Sequence, residues 1–462
     1  MKTRTLFSFL FVAGTFAACN KNSDTTIPPV TRQTDTLSGS ITTDITLDAG
    51  KDYLVNGRLF VKNNASLTIP AGVTVYMAKK DAAADKSTLV VTKGSKLFIN
   101  GSSDKPVVFT SNAASKAPGD WGAIVILGKA ATNTGTGNAA GLGVSADTEY
   151  GGTAADDNSG SISYLRVEYS GGINPDAEDE WAVDKVSGLC LESVGSGTSI
   201  NHVMVTHSND DGFQFVGGTV NATNLIAFNN GDDDFDFDLG YTGKLQYLIS
   251  YRTGLNSTHA LRANGFESYN DEVPTLNMPL TRPVISNMTI VGPQGNETVR
   301  TNLNQAVYIR KGTRFAMQNS IIAEYPQGGL MVCPRTRPVL MQNTGSIFKY
   351  NLAHSDSLDK TFSYDHGSDP LGFFGIFADP QLRDFALDSV NQNQLMVSAA
   401  DLKLAGMYNA NAPDLTPLPT SPALTGANFD GADFSTFFTA VSFKGAVGSE
   451  NWAAASNWAV WK

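Results

Sequence analysis

Charge is scarce in this sequence: Asp, Glu, Lys and Arg make up 17% of 462 residues, against about 25% in ordinary soluble domains. That argues against a coiled coil and against a charged disordered chain. Positive charge is the scarcer sign, with 33 Lys plus Arg against 44 Asp plus Glu and a formal net charge of −11. The acidic balance argues against nucleic acid or an anionic lipid surface as the main partner. Cysteine is nearly absent, with three residues, and the five histidines (His202, His207, His259, His354, His366) are scattered. No Cys/His cluster offers a soft metal site, and neither a Ser/His/Asp signature nor a phosphate loop stands out. Glycine is abundant instead, at 44 residues. At roughly 150 residues per domain the length alone suggests about three domains. The repeat described below replaces that count with one long solenoid.

The N-terminus reads as an address. Lys2 and Arg4 precede an apolar run from Leu6 to Ala18 that is too short to span a bilayer. It ends in Phe16-Ala17-Ala18-Cys19, which resembles a bacterial lipobox with Phe where Leu is commoner. The resemblance implies cleavage before Cys19, lipidation of Cys19, and a membrane contact through that lipid alone. The alternative is an ordinary secretory signal with a chance cysteine. Residues 19–38 are polar and Pro/Thr-rich and read as a flexible tether. No later run approaches a membrane span.

Two segments superimpose without gaps at an offset of 22 residues. Asn209-Asp210-Asp211-Gly212-Phe213-Gln214-Phe215 falls on Gly231-Asp232-Asp233-Asp234-Phe235-Asp236-Phe237. Upstream, Val203 and Val205 fall on Leu225 and Ala227, then on Tyr247 and Ile249. A period near 22 marks a solenoid, and its pieces are short alternating strands with Gly/Asn/Asp turns. The same pattern runs from Tyr53-Leu54-Val55 to Ser320-Ile321-Ile322. This looks like a right-handed parallel β-helix, the fold of pectate lyases, which makes the chain all-β. The expected boundaries are a signal at 1–18, a tether at 19–38, the β-helix at 39–350 and a C-terminal extension at 351–462 packed on it. Trp452, Trp458 and Trp461 are expected to cover the open end. Insertions at 129–159, 171–187, 251–263, 292–304 and 354–370 project from the coils, where binding faces are often built. Gly119-Asp120-Trp121-Gly122 together with Asp210-Asp211-Gly212-Phe213 also resembles a group of β-helical surface lipoproteins of Bacteroidetes-type bacteria.

The register separates Cys190 from Leu330 by about five coils. At ~4.8 Å per coil that is roughly 24 Å, beyond the ~7 Å that a disulfide tolerates between Cα atoms. Cys190 and Cys333 are therefore expected to be free thiols.

The register also predicts an acidic ladder. Phe213, Phe235, Phe266 and Val307 form an inward column, so Gln214, Asp236, Glu267 and Tyr308 point outward. Val216, Asp238 and Arg310 form a second outward column. Asp210 and Asp211 lie one coil below Asp232 and Asp233, with Asp234 beside them. Like charges ~4.8 Å apart repel, so the ladder needs a cation, turn N–H groups, or Arg310 and Arg262. Asp210, Asp211, Asp232, Asp233, Asp234 and Asp236 are the candidate metal ligands, and oxygen ligands at this density suit Ca²⁺. Capping of the turns by the same carboxylates, without metal, fits equally.

Three functions fit. One family of β-helical pectate lyases carries Asp-Asp-Gly-aromatic motifs holding Ca²⁺, and a Lys in an Asn-Gly-Phe-Lys context abstracts the substrate proton. Here Asn264-Gly265-Phe266-Glu267 puts Glu at that base position. A glycosidase needs two carboxylates about 5–5.5 Å apart, or about 6.5–9.5 Å for inversion. Asp236 with Glu267 supplies such a pair, with Arg310 beside it. The favoured reading is non-enzymatic: an outer-membrane, cell-surface lipoprotein that captures an extracellular ligand such as a glycan, beside an outer-membrane transporter. Gln214, Asp236, Asp238, Glu267, Tyr269, Tyr308 and Arg310 would be its binding surface. A structural or adhesive surface role is the third reading.

Overall fold

The short alternating segments fold as strands that stack coil upon coil. In the computed structural model the described residues are 32–81, 85–172, 186–253, 263–271, 273, 275–293, 303, 305–365 and 376–462. The signal, most of the tether, Cys19, Arg262 and much of the later insertions lie outside them. Among the described residues, 27 strands join one sheet system whose pairings are parallel except for an antiparallel one at Ser363↔Ala378. Each coil contributes to three faces, and the chain is a parallel β-helix.

The face that carries the site runs through β1 (Leu189–Glu192), β2 (Phe213–Val216), β3 (Phe235–Asp238), β4 (Phe266–Ser268), β5 (Val307–Ile309) and β6 (Leu330–Val332). On this face the pairing follows the predicted register, with Phe213↔Phe235, Asp236↔Glu267, Glu267↔Tyr308 and Val307↔Leu330; on the neighbouring strands Leu225 falls on Leu248 and Ala227 on Ser250, one residue past the expected Tyr247 and Ile249. The inward column is a packed stack, with Phe213 and Phe235 rings 5.0 Å apart and Phe215 and Phe237 rings 4.9 Å apart. Cys190 and Cys333 are both buried and free, as the coil count requires.

The other two faces meet at a one-residue corner. Tyr164, His202, Asn224, Tyr247, Asn287, Asn319 and Tyr350 occupy that corner on seven successive coils, each with φ between 51° and 62°. A single left-handed residue turns the strand from one face to the next, which favours Asn and tolerates His or Tyr.

The end of the helix differs from expectation. Strands continue past residue 350 as Leu352–Ser355, Phe362–Asp365 and Gln394–Leu395. The core then ends against Leu382 and Ala386 of the α-helix Pro380–Leu387, whose N-cap Asp379 accepts from the Leu382 amide. The tryptophans lie along the flank instead. Trp461 packs edge-on to Phe228 and Tyr251, and Trp458 on the stacked Tyr164–His202 pair. The segment holding them docks on the corner ladder: the Asn287 side-chain amide donates to the Phe443 carbonyl (2.9 Å) and that of Asn319 to the Asn428 carbonyl (2.8 Å). Asn457 reaches back to the Asp104 carbonyl (3.0 Å).

Candidate functional site

The Asp-rich turns entering β2 and β3 lie one coil apart, and the chains approach closely there. A Cβ on Gly212 would stand 2.5 Å from the Asn230 side chain, so only glycine fits. Asp210, Asp211 and Asp232 each bring a carboxylate oxygen within 4.8 Å of the others. Asp210 and Asp211 are buried and Asp232 half-buried. Asp211 Oδ1 accepts from the Asp233 amide (3.0 Å), and its Oδ2 from the Ser187 hydroxyl (3.1 Å). The donors are all hard oxygens at close spacing, which fits Ca²⁺ among the candidate metals.

The other predicted ligands go elsewhere. Asp234 turns inward and is fully buried against Arg252. It accepts from Arg252 Nε (3.1 Å), the Ser250 hydroxyl (2.6 Å) and the Asn230 side-chain amide (3.1 Å), so it is not available to a cation on the outer side. Burial still pushes its carboxyl up to about 6, against the pull of Arg252 and its hydrogen bonds. Arg252 also donates to the carbonyls of Asn230, Asp232 and Asn264, fastening both turns from inside. Asp233 Oδ1 accepts from the backbone (2.7 Å) and side-chain (2.8 Å) amides of Asn264. Burial and its neighbours Glu267, Asp232 and Asp211 hold Asp233 well above the usual carboxylate range. Asp236 stands on the strand face and is not part of the close-set turn trio, although Asp211 is near enough to act on it.

The predicted binding surface is covered. Asp236, Asp238, Glu267 and Tyr308 do point out of the coil, yet they are only 5%, 2%, 7% and 2% exposed. Gln214, Tyr269 and Arg310 are half-buried. Alternation dictates the direction of a strand side chain but not what lies over it. The insertion at 129–159 folds back on this face, laying Ala139, Leu142 and Tyr150 against Val125, Leu127, Cys190 and Val216. Arg58 pins it by donating to the carbonyls of Leu142 (2.8 Å) and Gly141 (3.0 Å), and Lys62 pairs with Asp147 (2.8 Å). Further along, Asn133 donates to the Asn270 carbonyl (2.6 Å), which joins the insertion to the segment after β4.

Further along the same face, Glu267 is ion-paired with Arg310, whose guanidinium lies 5.3 Å from the Tyr308 ring centre. The Tyr269 hydroxyl donates to Asp238 Oδ2 (2.8 Å), and Lys311 lies over the Tyr269 ring. Burial and the neighbouring Asp238, Asp211 and Glu267 hold Asp236 well above the normal carboxylate range, against the pull of Arg310.

Two groups of acids were not picked out from the sequence. Glu192 on β1 falls on Val216 and then Asp238, and the repeat alignment would have found it had it been carried one residue past Leu191. Glu324, His354 and Asp356 bring ligand atoms within 4.8 Å of one another across one coil step. There the Glu324 amide donates to His354 Nδ1 (3.3 Å), which leaves the ring proton of neutral imidazole on Nε2 and no free lone pair for a metal. The Gly119-Asp120-Trp121-Gly122 motif is structural: Trp121 is buried with its indole N–H on the Glu168 carbonyl (2.8 Å), and Asp120 accepts from Ser111 (2.7 Å) and pairs with Lys79 (2.9 Å).

No curated protein matches this chain. Among solved structures, the Dettilon tailspike protein (gp208) matches at 11% identity over 72% of this chain, with a TM-score of 0.22. The chain spans 63% of that protein's length. The family described as the pectate-lyase-like β-helix domain matches residues 39–363, most of the chain. The chain therefore belongs to the pectate-lyase-like β-helix domain family.

Proposed function

We propose that this protein is a lipid-anchored, cell-surface β-helix, stabilised by calcium at Asp210, Asp211 and Asp232, that captures an extracellular ligand through its inserted loops. The ligand class is a glycan or a comparable nutrient, and the setting is the outer membrane beside a transporter. One observation carries the non-enzymatic reading. The residues that would do chemistry are already enclosed, Asp236 and Glu267 buried and Arg310 half-buried, with Glu267 paired to Arg310. A polysaccharide chain needs open access to such carboxylates, whereas a covered acidic face needs a cation to offset it.

Anchoring is tested by Cys19→Ser, which should move the protein from the membrane fraction to the soluble one; retention in the membrane refutes lipidation. Calcium is tested by thermal melts, with Ca²⁺ raising the melting temperature and EDTA lowering it. No shift with either returns the turn carboxylates to backbone capping. Ligand capture is tested by glycan-array binding of the form that follows Cys19, and binding that survives deletion of the insertions refutes the loop assignment. Family membership favours a second reading, a calcium-dependent lyase or hydrolase. Release of unsaturated uronides or of reducing ends by the wild-type protein would establish it.

A further inference from the structure

Phe437 combines two features that the fold does not require of it. It is 40% exposed, and its φ of 74° is the most positive of any non-glycine residue among those described. The corner residues of the coils take that region because a strand must bend there. Phe437 bends no strand; it lies in the C-terminal segment that docks on the coils. A left-handed backbone under a bulky side chain is strained, and Gly or Asn would sit there with less cost. An exposed ring gains little burial to offset the strain.

The neighbours hold Phe437 in that conformation. The Thr436 hydroxyl accepts from Lys244 Nζ (2.8 Å). The Thr439 amide donates to Gln246 Oε1 (2.8 Å), and its carbonyl accepts from Gln246 Nε2 (2.8 Å). Upstream, Arg282 grips both oxygens of Asp433 (2.9 and 2.7 Å), and Phe434 is buried against Val284 and Ala316. Phe438 is half-buried, with its ring 5.2 Å from that of Phe434 and 6.0 Å from Lys244 Nζ. It meets the Phe437 ring edge-on at 5.3 Å. The loop is therefore fastened on both sides of a single uncovered ring.

The surroundings of that ring select an occupant. Ser435, Thr436 and Thr439 are exposed hydroxyl residues, and the exposed Ala432 and Ala440 are small. One ring among hydroxyls is too small and too polar for the core of a stable protein interface, which takes about 800 Å² from each partner. It matches one sugar ring, whose C–H face can lie on the electron-rich aromatic face while its hydroxyls meet the polar neighbours.

We propose that Phe437 is a stacking platform for one sugar ring of the captured glycan, with Thr436 and Lys244 at its edge. This rests on the glycan reading above and adds a contact outside the inserted loops. The experiment is affinity gel electrophoresis of the form that follows Cys19 through four soluble polysaccharides, a galacturonan, a xylan, a β-glucan and a mannan, with a thermal melt of each variant. Wild type should be retarded by at least one of them, and Phe437→Gly should weaken that binding by about fivefold or more. Phe437→Gly should melt no lower than wild type, because the left-handed strain is relieved. Phe437→Tyr keeps the ring face and should bind as wild type does. Equal retardation of wild type and Phe437→Gly overturns the platform and leaves glycan capture by the loops standing. No retardation of wild type by any of the four overturns both. Weakened binding together with a lower melting temperature makes the ring a structural prop and overturns the platform. A wild-type dimer in sedimentation velocity that Phe437→Gly dissociates overturns it too, by giving the ring to a second copy of the chain.

Discussion

Glu267 and Arg310 face each other across adjoining coils as a largely buried ion pair, with side chains 9% and 13% exposed. Asn264-Gly265-Phe266-Glu267 resembles the Asn-Gly-Phe-Lys context of one pectate-lyase family, with Glu267 where that motif has lysine. The pair fastens β4 to the residue that follows β5.

Glu267→Lys should therefore cost stability without conferring chemistry. Breaking one partner of a buried pair costs about 3–5 kcal/mol, and here the new Lys also faces Arg310. Thermal denaturation should show a large fall in melting temperature, and absorbance of unsaturated uronides should stay at baseline. A variant as stable as wild type would show that the pair contributes nothing.

The calcium response should separate the two kinds of aspartate at the turns. Asp232→Asn should lose a large part of the stabilisation by Ca²⁺. Asp234→Asn should melt lower in all conditions, because Arg252 is left buried without its counter-charge, yet keep the calcium increment. The reverse pattern would place the ion on the inner side of the coil.

Thiol counting checks the register. A form that begins after Cys19 should show no reactive thiol when folded and two in denaturant, since Cys190 and Cys333 are buried and unpaired. Fewer than two in denaturant would mean that the coil stacking is wrong.

Acid should loosen the C-terminal extension. Burial holds His202 below the ordinary histidine value, so the folded state resists its protonation more than the unfolded state does. Its contribution is complete above the unfolded-state value of about 6.5 and fades as pH falls through the lowered folded-state value. His202 stacks on Tyr164 and meets Trp452 and Trp458 edge-on. His202→Asn keeps a residue suited to the left-handed corner and removes the titration. Its melting temperature should therefore fall less than that of wild type between pH 7 and pH 5, followed by tryptophan fluorescence. Parallel curves would exclude His202 as a source of acid sensitivity.

Much of the fold was legible because stacking forces equivalent residues onto one register. The 22-residue offset places Phe213 on Phe235, the likeness of Gly265-Phe266 to Gly212-Phe213 places Glu267 on Asp236 across a longer coil, and both pairings are present. From Tyr251 onward the strands remain but most coil steps lengthen, as in Ile249↔Thr289, Thr289↔Ile321 and Ile321↔Leu352, so the last of these escapes a search at the shorter period. The site was legible in direction and not in exposure. Alternation along a strand points Asp236 outward, but only tertiary folding lays Tyr150 and Leu142 over that face. The inward turn of Asp234 was hidden for a related reason: its partner Arg252 lies on the following coil, one residue past Tyr251, at a position that carries Asn229 on the coil before and Gly292 on the coil after.

The one-residue corner has a consequence for how this chain can change. A bend made by a single left-handed residue has no slack, so additional sequence cannot enter there without breaking the strands on both sides. The 129–159 excursion, which separates Ile124–Leu127 from Gly160–Glu168, leaves the coil away from that corner. The corner itself stays a rail on which the C-terminal segment lies. A foreign peptide spliced into the Gly135–Gly143 stretch should be displayed by an intact helix, whereas the same peptide spliced beside Asn224 or Asn287 should leave no helix to display it.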